Sequence, residues 1–537
     1  MLVGQNLTLK VSATNSDDRL FLEKVDYQKN HSDEKTINQE VENISDYLKQ
    51  VGYFFHSLDS ISKKDSHFVA YFSLGMKIAT AVIRIPKGID VLLDQINLQK
   101  DSIEIEIDQI ESTLKLITLH LDNQGKSFSE VRLRNLQIKN KTFYADLHIV
   151  ASVQRKINKV LIKEYSAFPK TYIKYHLRID QETLFTQKKL IEISANTKSL
   201  KFVSEIKPPE ILFAKDSTLL YVYLKKEPNS SFDGLVNFTS KETGGILFNG
   251  HIDLKLNNIL DSGENFELFW NSIAQEAQDF RISTRIPYVF ATPFTPKLSF
   301  NLYKQDSTFL STSFHSSLSY PIAPKANLFL TYDAENSQKL LQNAINNIQD
   351  FENSFFGLGF SYEVPHENNL FEHLYYFSIA TSFGSRTNNT KSTNQFKINL
   401  NTSFLWNLNA RNRIFVKNNT GYLNSDNFLD NELFRIGGAN SIRGFNEQSI
   451  FTASYTFFNT EYRYRTAPSS YLFSITDFGY YTPKQTSRDE FLLGIGFGYS
   501  FQQKNNTFRI SSAIGRSSNT GFDFERSKLI LNWTSNF

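Results

Sequence analysis

The sequence predicts α+β periplasmic modules followed by an all-β transmembrane antiparallel barrel of 16 strands. Three observations lead there. Helical periodicity is concentrated in residues 1 to 229 and nearly disappears from Asp233 onward, where apolar residues recur at every second position. Aromatic residues number 21 in the first 229 positions and 55 in the remaining 308, while charged residues fall from 62 to 51. No run of 18 apolar residues exists to form a membrane helix, and the mean hydropathy of −0.35 suits a barrel whose lipid-facing residues alternate with water-facing ones.

Composition narrows the function classes. The 58 basic and 55 acidic residues are intermixed, which argues against a nucleic-acid surface. The chain has no Cys, which removes disulfides, thiolate nucleophiles and Cys-ligated zinc. His residues are scattered without metal spacing, and no Gly-x-Ser-x-Gly or phosphate-cradling loop occurs. No enzyme activity, cofactor or metal is expected. The start, Met1 to Asn6, shows no secretory signal, so an envelope location implies that one was removed or truncated.

In the first 229 residues a strand, a helical pattern and two further strands recur three times. Residues 1–20 read as a polar extension. Module 1 (21–75) takes Phe21 to Tyr27 as a strand, Val41, Ile44, Leu48 and Val51 as a helical face, and Tyr53 to Ile61 with Ser66 to Leu74 as a hairpin. Module 2 (76–153) has a strand at Lys77 to Ile85. Its helical stripe runs Ile103, Ile107, Ile110, Leu114, Ile117 and Leu121, and strands follow at Glu130 to Lys139 and Thr142 to Ser152. Module 3 (154–229) has Pro169 at a helix start, Leu184, Ile191 and Ala195 on one helical face, and strands at Phe202 to Ile206 and Thr218 to Lys225.

The barrel spans 230–537. Ile252, Leu254 and Leu256 alternate with Asp253 and Lys255, and Phe491, Leu493, Ile495, Phe497, Tyr499 and Phe501 alternate with Leu492, Gly494, Gly496, Gly498 and Ser500. The closing strand sets Leu529, Leu531, Trp533 and Phe537 against Lys528, Asn532 and Thr534. Strands begin near residues 233, 246, 263, 277, 295, 306, 325, 353, 372, 393, 411, 450, 471, 489, 505 and 526. Even connections are mostly short, as periplasmic turns are, and the long stretches 334–352 and 421–448 fall on the outer side. Ser337 to Asp350, with Leu340, Leu341, Ile345 and Ile348, reads as a short helix in an outer loop. A β-sandwich or propeller is the soluble alternative, but no blade period appears.

The longest connection contains Phe434-Arg435-Ile436-Gly437-Gly438-Ala439-Asn440-Ser441-Ile442-Arg443-Gly444-Phe445. Paired Gly residues let the chain fold back tightly, and Arg443 carries a rigid fork of donors that inside a barrel needs carboxylates. The next two strands supply Glu461 and Asp477. A loop pinned in the lumen by charge-assisted bonds from Arg443 is therefore expected.

With that loop motif and a terminal Phe537, the sequence resembles the BamA/TamA superfamily of outer-membrane assembly and secretion proteins. Those join POTRA modules to a sixteen-stranded barrel and carry a Val/Ile-Arg-Gly-Phe/Tyr motif in the sixth outer loop, matched here by Ile442, Arg443, Gly444 and Phe445. The resemblance implies that this loop enters the barrel, that Arg443 meets Asp477 and Glu461, and that Phe537 ends a closing strand beside a weak seam. Two departures stand out: Ile475 replaces the Phe of the usual Phe-x-Asp, and the third module has Ile162-Lys163-Glu164-Tyr165 where an early Gly is typical.

Three modules suggest the TamA type, and hence a barrel inserting client proteins, whose strands pair with module edges and with the seam. The alternatives are a barrel exporting one dedicated partner and a passive solute channel. Expected partners are the outer-membrane bilayer, unfolded outer-membrane or secreted clients, and accessory periplasmic or lipoprotein subunits.

Overall fold

The computed structural model describes residues 7–86, 101–215, 217–240, 246–273, 277–305, 308–341, 347–366, 373–388, 391–483 and 489–537. The chain divides into two compact units, residues 1–157 with 182–191, and residues 158–181 with 192–537.

The first unit holds two mixed α/β sheets. In the first sheet, strand Leu7–Ser12 lies parallel to His67–Ser73, flanked by Asn30–His31 and Ser57–Lys64. The helix Glu34–Gln50 covers it because Ile37, Val41, Ile44 and Leu48 form one stripe, buried against Leu9, Val11 and Phe72. Asp33 caps this helix by accepting from the Thr36 backbone N–H at 2.8 Å. Burial contributes about 1.5–3 kcal/mol per large apolar side chain. The expectation for residues 1–27 needs correction. Phe21 ends the helix Ser16–Leu22 and is no strand residue, while the supposed extension contains the first strand, with Leu7, Leu9 and Val11 buried. A three-residue alternation is too short to stand out locally and gains its meaning from the parallel partner at 67–73.

In the second sheet, Ser102–Glu106, Thr80–Arg84, Thr142–Val150 and Glu130–Lys139 lie in that order. Ile103 belongs to a strand, not to the predicted helix, which runs Ile110–Asn123 after a 3₁₀ turn. Strand and helix share the apolar stripe because Ile103 and Ile105 suit a two-residue period as well as a helical one.

In the second unit a three-stranded sheet orders Val203–Phe213, Thr218–Lys226 and Lys159–Lys163, the last two parallel. Pro169 precedes the helix Lys170–Tyr175. The predicted face of Ile191 and Ala195 is wrong: the helix Gln187–Lys198 buries Ile193 and Thr197, and Ile191 is 71% exposed. Two apolar residues could not define the phase of that helix. The Tyr165 hydroxyl donates to Asp261 at 2.5 Å and accepts from Asn258 at 2.9 Å, while the Lys226 ammonium reaches the same carboxylate at 2.6 Å. Tyr172 donates to the Gly263 carbonyl at 3.3 Å and meets Tyr288 edge-on, and Tyr175 stacks on Tyr288 and donates to the Ala291 carbonyl at 2.5 Å. This sheet and helix are thereby fastened to the barrel turns at residues 258–264 and 286–294.

The barrel is a closed antiparallel sheet of sixteen long strands. They are β1 Ser231–Ser240, β2 Ile246–Asn257, β3 Asn265–Ile273, β4 Ala277–Arg285, β5 Thr295–Gln305, β6 Phe309–Ala323, β7 Ala326–Lys339 and β8 Phe351–Pro365. The others are β9 His373–Asn388, β10 Lys391–Asn407, β11 Asn412–Ser425, β12 Ile450–Ala467, β13 Ser470–Pro483, β14 Glu490–Gln503, β15 Asn506–Ser517 and β16 Lys528–Asn536. Each matches a strand expected from alternation. Tyr462, Phe478, Phe497, Leu529, Leu531 and Trp533 are exposed on the outer wall while Glu461, Asp477 and Leu492 are buried on the inner face, as a barrel in lipid requires. Closure is short: among the described residues β1 and β16 pair at Ser231–Asn536 and Phe232–Ser535, with the Phe537 amide adding a bond to the Ser230 carbonyl at 2.8 Å.

The predicted outer helix at 337–350 is corrected in part. Ser337 to Lys339 continue β7, because the Asp350 carboxylate accepts from the Lys339 amide at 2.7 Å and pins the strand end. Ile345 lies outside the described residues.

Candidate functional site: the lumenal loop

The connection from β11 to β12 turns inward. Phe434–Ile436 pair with the start of β12, and the chain then reverses at Gly437 and Gly438, whose φ angles of 107° and 99° favour glycine. The fold-back is closed by the Gly438 amide on the Ile442 carbonyl at 3.1 Å, by the Gly437 amide on the Ser441 hydroxyl at 3.0 Å, and by Glu447 accepting from the Ala439 amide at 3.0 Å. Ile442 is fully buried in a cluster with Ile436, Phe457 and Leu492, and Phe445 packs beside it.

Arg443 meets both expected acids. Asp477 accepts from its Nη2 at 2.6 Å, its Nε at 2.7 Å and its backbone amide at 2.9 Å, and Glu461 accepts from Nη1 at 2.5 Å. Arg463 Nε reaches Glu461 at 2.8 Å and Arg509 Nη2 reaches it at 2.5 Å, so three guanidinium groups share two carboxylates. Arg463 lies over Phe415 and Arg509 over Phe473, so each cation also rests on an aromatic face.

The tip lies along one register row. Asn459, Asp477, Gly494 and Gly515 are successive cross-strand partners on β12, β13, β14 and β15. Asn459 donates to the Ser441 carbonyl at 2.7 Å, Asp477 holds Arg443, and the two glycines let the tip backbone approach the wall. A Cβ on Gly494 would stand 2.1 Å from the Arg443 carbonyl oxygen, and one on Gly515 2.8 Å from that of Gly444. Arg463, Arg509 and Asn459 went unread in the sequence, although Asn459, Glu461 and Arg463 alternate on one face of β12. Gly494 was read only as a small inward residue.

The stretches on either side of the tip cross the lumen. Arg435 lies over Tyr303 of β5, at 3.6 Å from the ring centre, and Gln448 donates to Asp279 of β4 at 3.2 Å. Glu432 pairs with the buried Arg386 of β9 and accepts from Gln395 of β10 at 3.0 Å. Asn431 donates to Ser337 of β7 at 2.8 Å. Leu529, Leu531, Trp533 and Phe537 take no part and stand exposed along the closing strand. Among the described residues no group of three or more acidic or His side chains is placed to hold a metal.

A closed sixteen-stranded antiparallel wall with a loop latched across its lumen defines a membrane β-barrel of the outer-membrane class. The architecture is the one that the sequence resemblance implied. The family model described as haemolysin secretion/activation protein ShlB/FhaC/HecB matches residues 237–501. CdiB from Acinetobacter baumannii is similar in fold at 13% identity, covering 94% of this chain and 98% of that one with a TM-score of 0.55. CdiB from Escherichia coli is similar at 14% identity, with the same coverages and a TM-score of 0.53. No curated protein matches the chain. Closeness to the TamA type is not what these matches indicate.

Proposed function

We propose that the protein is the outer-membrane transporter of a two-partner secretion pair, exporting a dedicated protein in unfolded form through its lumen. The observation that carries this reading is the match of residues 237–501 to the haemolysin secretion/activation family, which spans the lumenal loop and its wall anchors. The structure suits it, because a polar lumen crossed by a latched loop is a gated path through a wall that stays closed. In this reading Gly437, Gly438, Ile442, Arg443, Gly444 and Phe445 form the gate and Glu461 and Asp477 its anchors. The mixed α/β elements serve as three POTRA-like modules divided near residues 75 and 153, the first reaching back to Leu7, and a client would add to their sheet edges as an extended strand. Accessory subunits are not required by this reading.

The runner-up, insertion of client barrels, is favoured by one observation, the two-pair junction of β1 and β16, where a client strand could enter. Deletion of the gene followed by a census of outer-membrane and secreted proteins separates the two. Loss of one secreted protein with the barrels intact supports export, and a broad loss of barrels overturns it.

A further inference from the structure

The long loop has two ion-paired anchors, and the two are electrically unlike. At the tip, Arg443, Arg463 and Arg509 face Glu461 and Asp477, so the wall without Arg443 retains two guanidinium groups for two carboxylates. Asp477 loses three hydrogen bonds when the tip leaves, but the site keeps no net charge and opens to lumenal water. At the base, Glu432 is 8% and Arg386 3% exposed, and Glu432 is the acid that pairs with Arg386. Gln395 is neutral, and Asn427, which accepts from Arg386, belongs to the loop itself. Withdrawal of the base would strip Arg386 of its carboxylate and of both Asn427 acceptors and leave an unpaired wall cation, whereas the tip site keeps its charges balanced.

The base has further ties. Asn431 bonds Ser337 of β7 and the Gln349 carbonyl, each at 2.8 Å, Asn347 donates to the Phe428 carbonyl at 2.6 Å, and Glu432 caps its own turn by accepting from the Leu429 amide at 2.8 Å. Residues 347–350 and 427–432 are thereby interlocked at the outer mouth. Between base and tip lie Gly437 and Gly438, both at positive φ.

We propose that Arg386 and Glu432 are positioning residues that keep the loop base fixed to β7, β9 and β10, so that Gly437–Gly438 is a hinge and Arg443 is the releasable ionic latch. This rests on the reading of the loop as a gate, but it concerns which end moves and holds whatever protein is exported. Because the chain has no Cys, a Ser337→Cys/Asn431→Cys pair supplies an unambiguous cross-link at the base.

The experiment uses the full chain in planar bilayers. In an otherwise wild-type background and with Arg443→Ala, the base cross-link forms equally well, and Arg443→Ala raises the opening frequency about tenfold with the base oxidised or reduced. Asp477→Asn serves as the second tip variant should Arg443→Ala fail to insert. Glu432→Gln lowers cross-link yield, and the exchange Arg386→Glu with Glu432→Arg restores it. Loss of the base cross-link on tip release, or suppression of openings by base oxidation, overturns the proposal. Openings that never respond to any tip variant, with the base still cross-linked, refute the gate reading instead.

Discussion

Asp477 takes three hydrogen bonds from one residue, the Nε, Nη2 and backbone amide of Arg443, and no part of its carboxylate is exposed. A single side chain on β13 therefore fixes both the guanidinium and the backbone of the loop tip. The identity of the cation matters as much as its charge, since a lysine ammonium cannot span two oxygens in this fork.

Arg443→Lys and Arg443→Ala should both leave a folded barrel, since the closed ladder does not depend on the tip. The tip should become sensitive to added protease, strongly for Ala and partly for Lys. Breaking a buried pair of this kind costs about 3–5 kcal/mol. Limited proteolysis with mass mapping of residues 437–445 checks this, and equal protection in wild type and Arg443→Ala would dismiss the latch.

Gly494→Ala should detach the tip without altering any charge. Its Cβ would occupy the place of the Arg443 carbonyl, an overlap worth about 1–3 kcal/mol. Gly521→Ala is the control, since nothing lies within 4 Å of its Cβ. Cleavage of the tip should rise in the first variant and stay at the wild-type level in the second.

The β1 and β16 junction should exchange amide hydrogens faster than any pairing around β9 and β10. Among the described residues two register pairs close the seam, whereas β9 and β10 pair from Tyr375–Phe404 to Asn388–Lys391. Hydrogen exchange in detergent or nanodiscs measures the difference directly, and equal protection would mean the seam is not a weak point.

The fastening of Tyr165 to the β2–β3 turn should depend on acid. Lys226 first, and Tyr165 second, hold the Asp261 carboxyl below its usual range, while burial and then Asp261 push the Tyr165 hydroxyl up to about 12, so it remains a donor. A depressed carboxyl stabilises the folded contact above its unfolded value and loses that contribution as pH falls through the lowered folded value. Protection of residues 258–264 should therefore hold from pH 7 to 5 and fall below about pH 4. Asp261→Asn should remove this share of the pH dependence.

Much of the fold was legible because membrane strands report locally on their two solvents. Each barrel strand shows lipid on one face and water on the other within its own ten or so residues, so their number, order and facing follow from alternation. The loop motif was legible too, since paired glycines and an arginine between apolar residues need a fold-back and an acid. Leu7–Ser12 was not, because its three apolar residues become a strand only beside His67–Ser73. Insertion was the function first read from module number, whereas the family match favours export.

Sequence by itself determined the sixteen strands, the inward loop and the acids that Arg443 would need. Tertiary structure alone decided that Asn459, Asp477, Gly494 and Gly515 form one row beneath the tip, and that Glu432 finds Arg386 on a strand two hairpin turns earlier. The reason is physical: periodicity is a property of one strand in its own surroundings, but a register row or an ion pair across a lumen exists only once closure of the whole sheet brings distant strands to the same height.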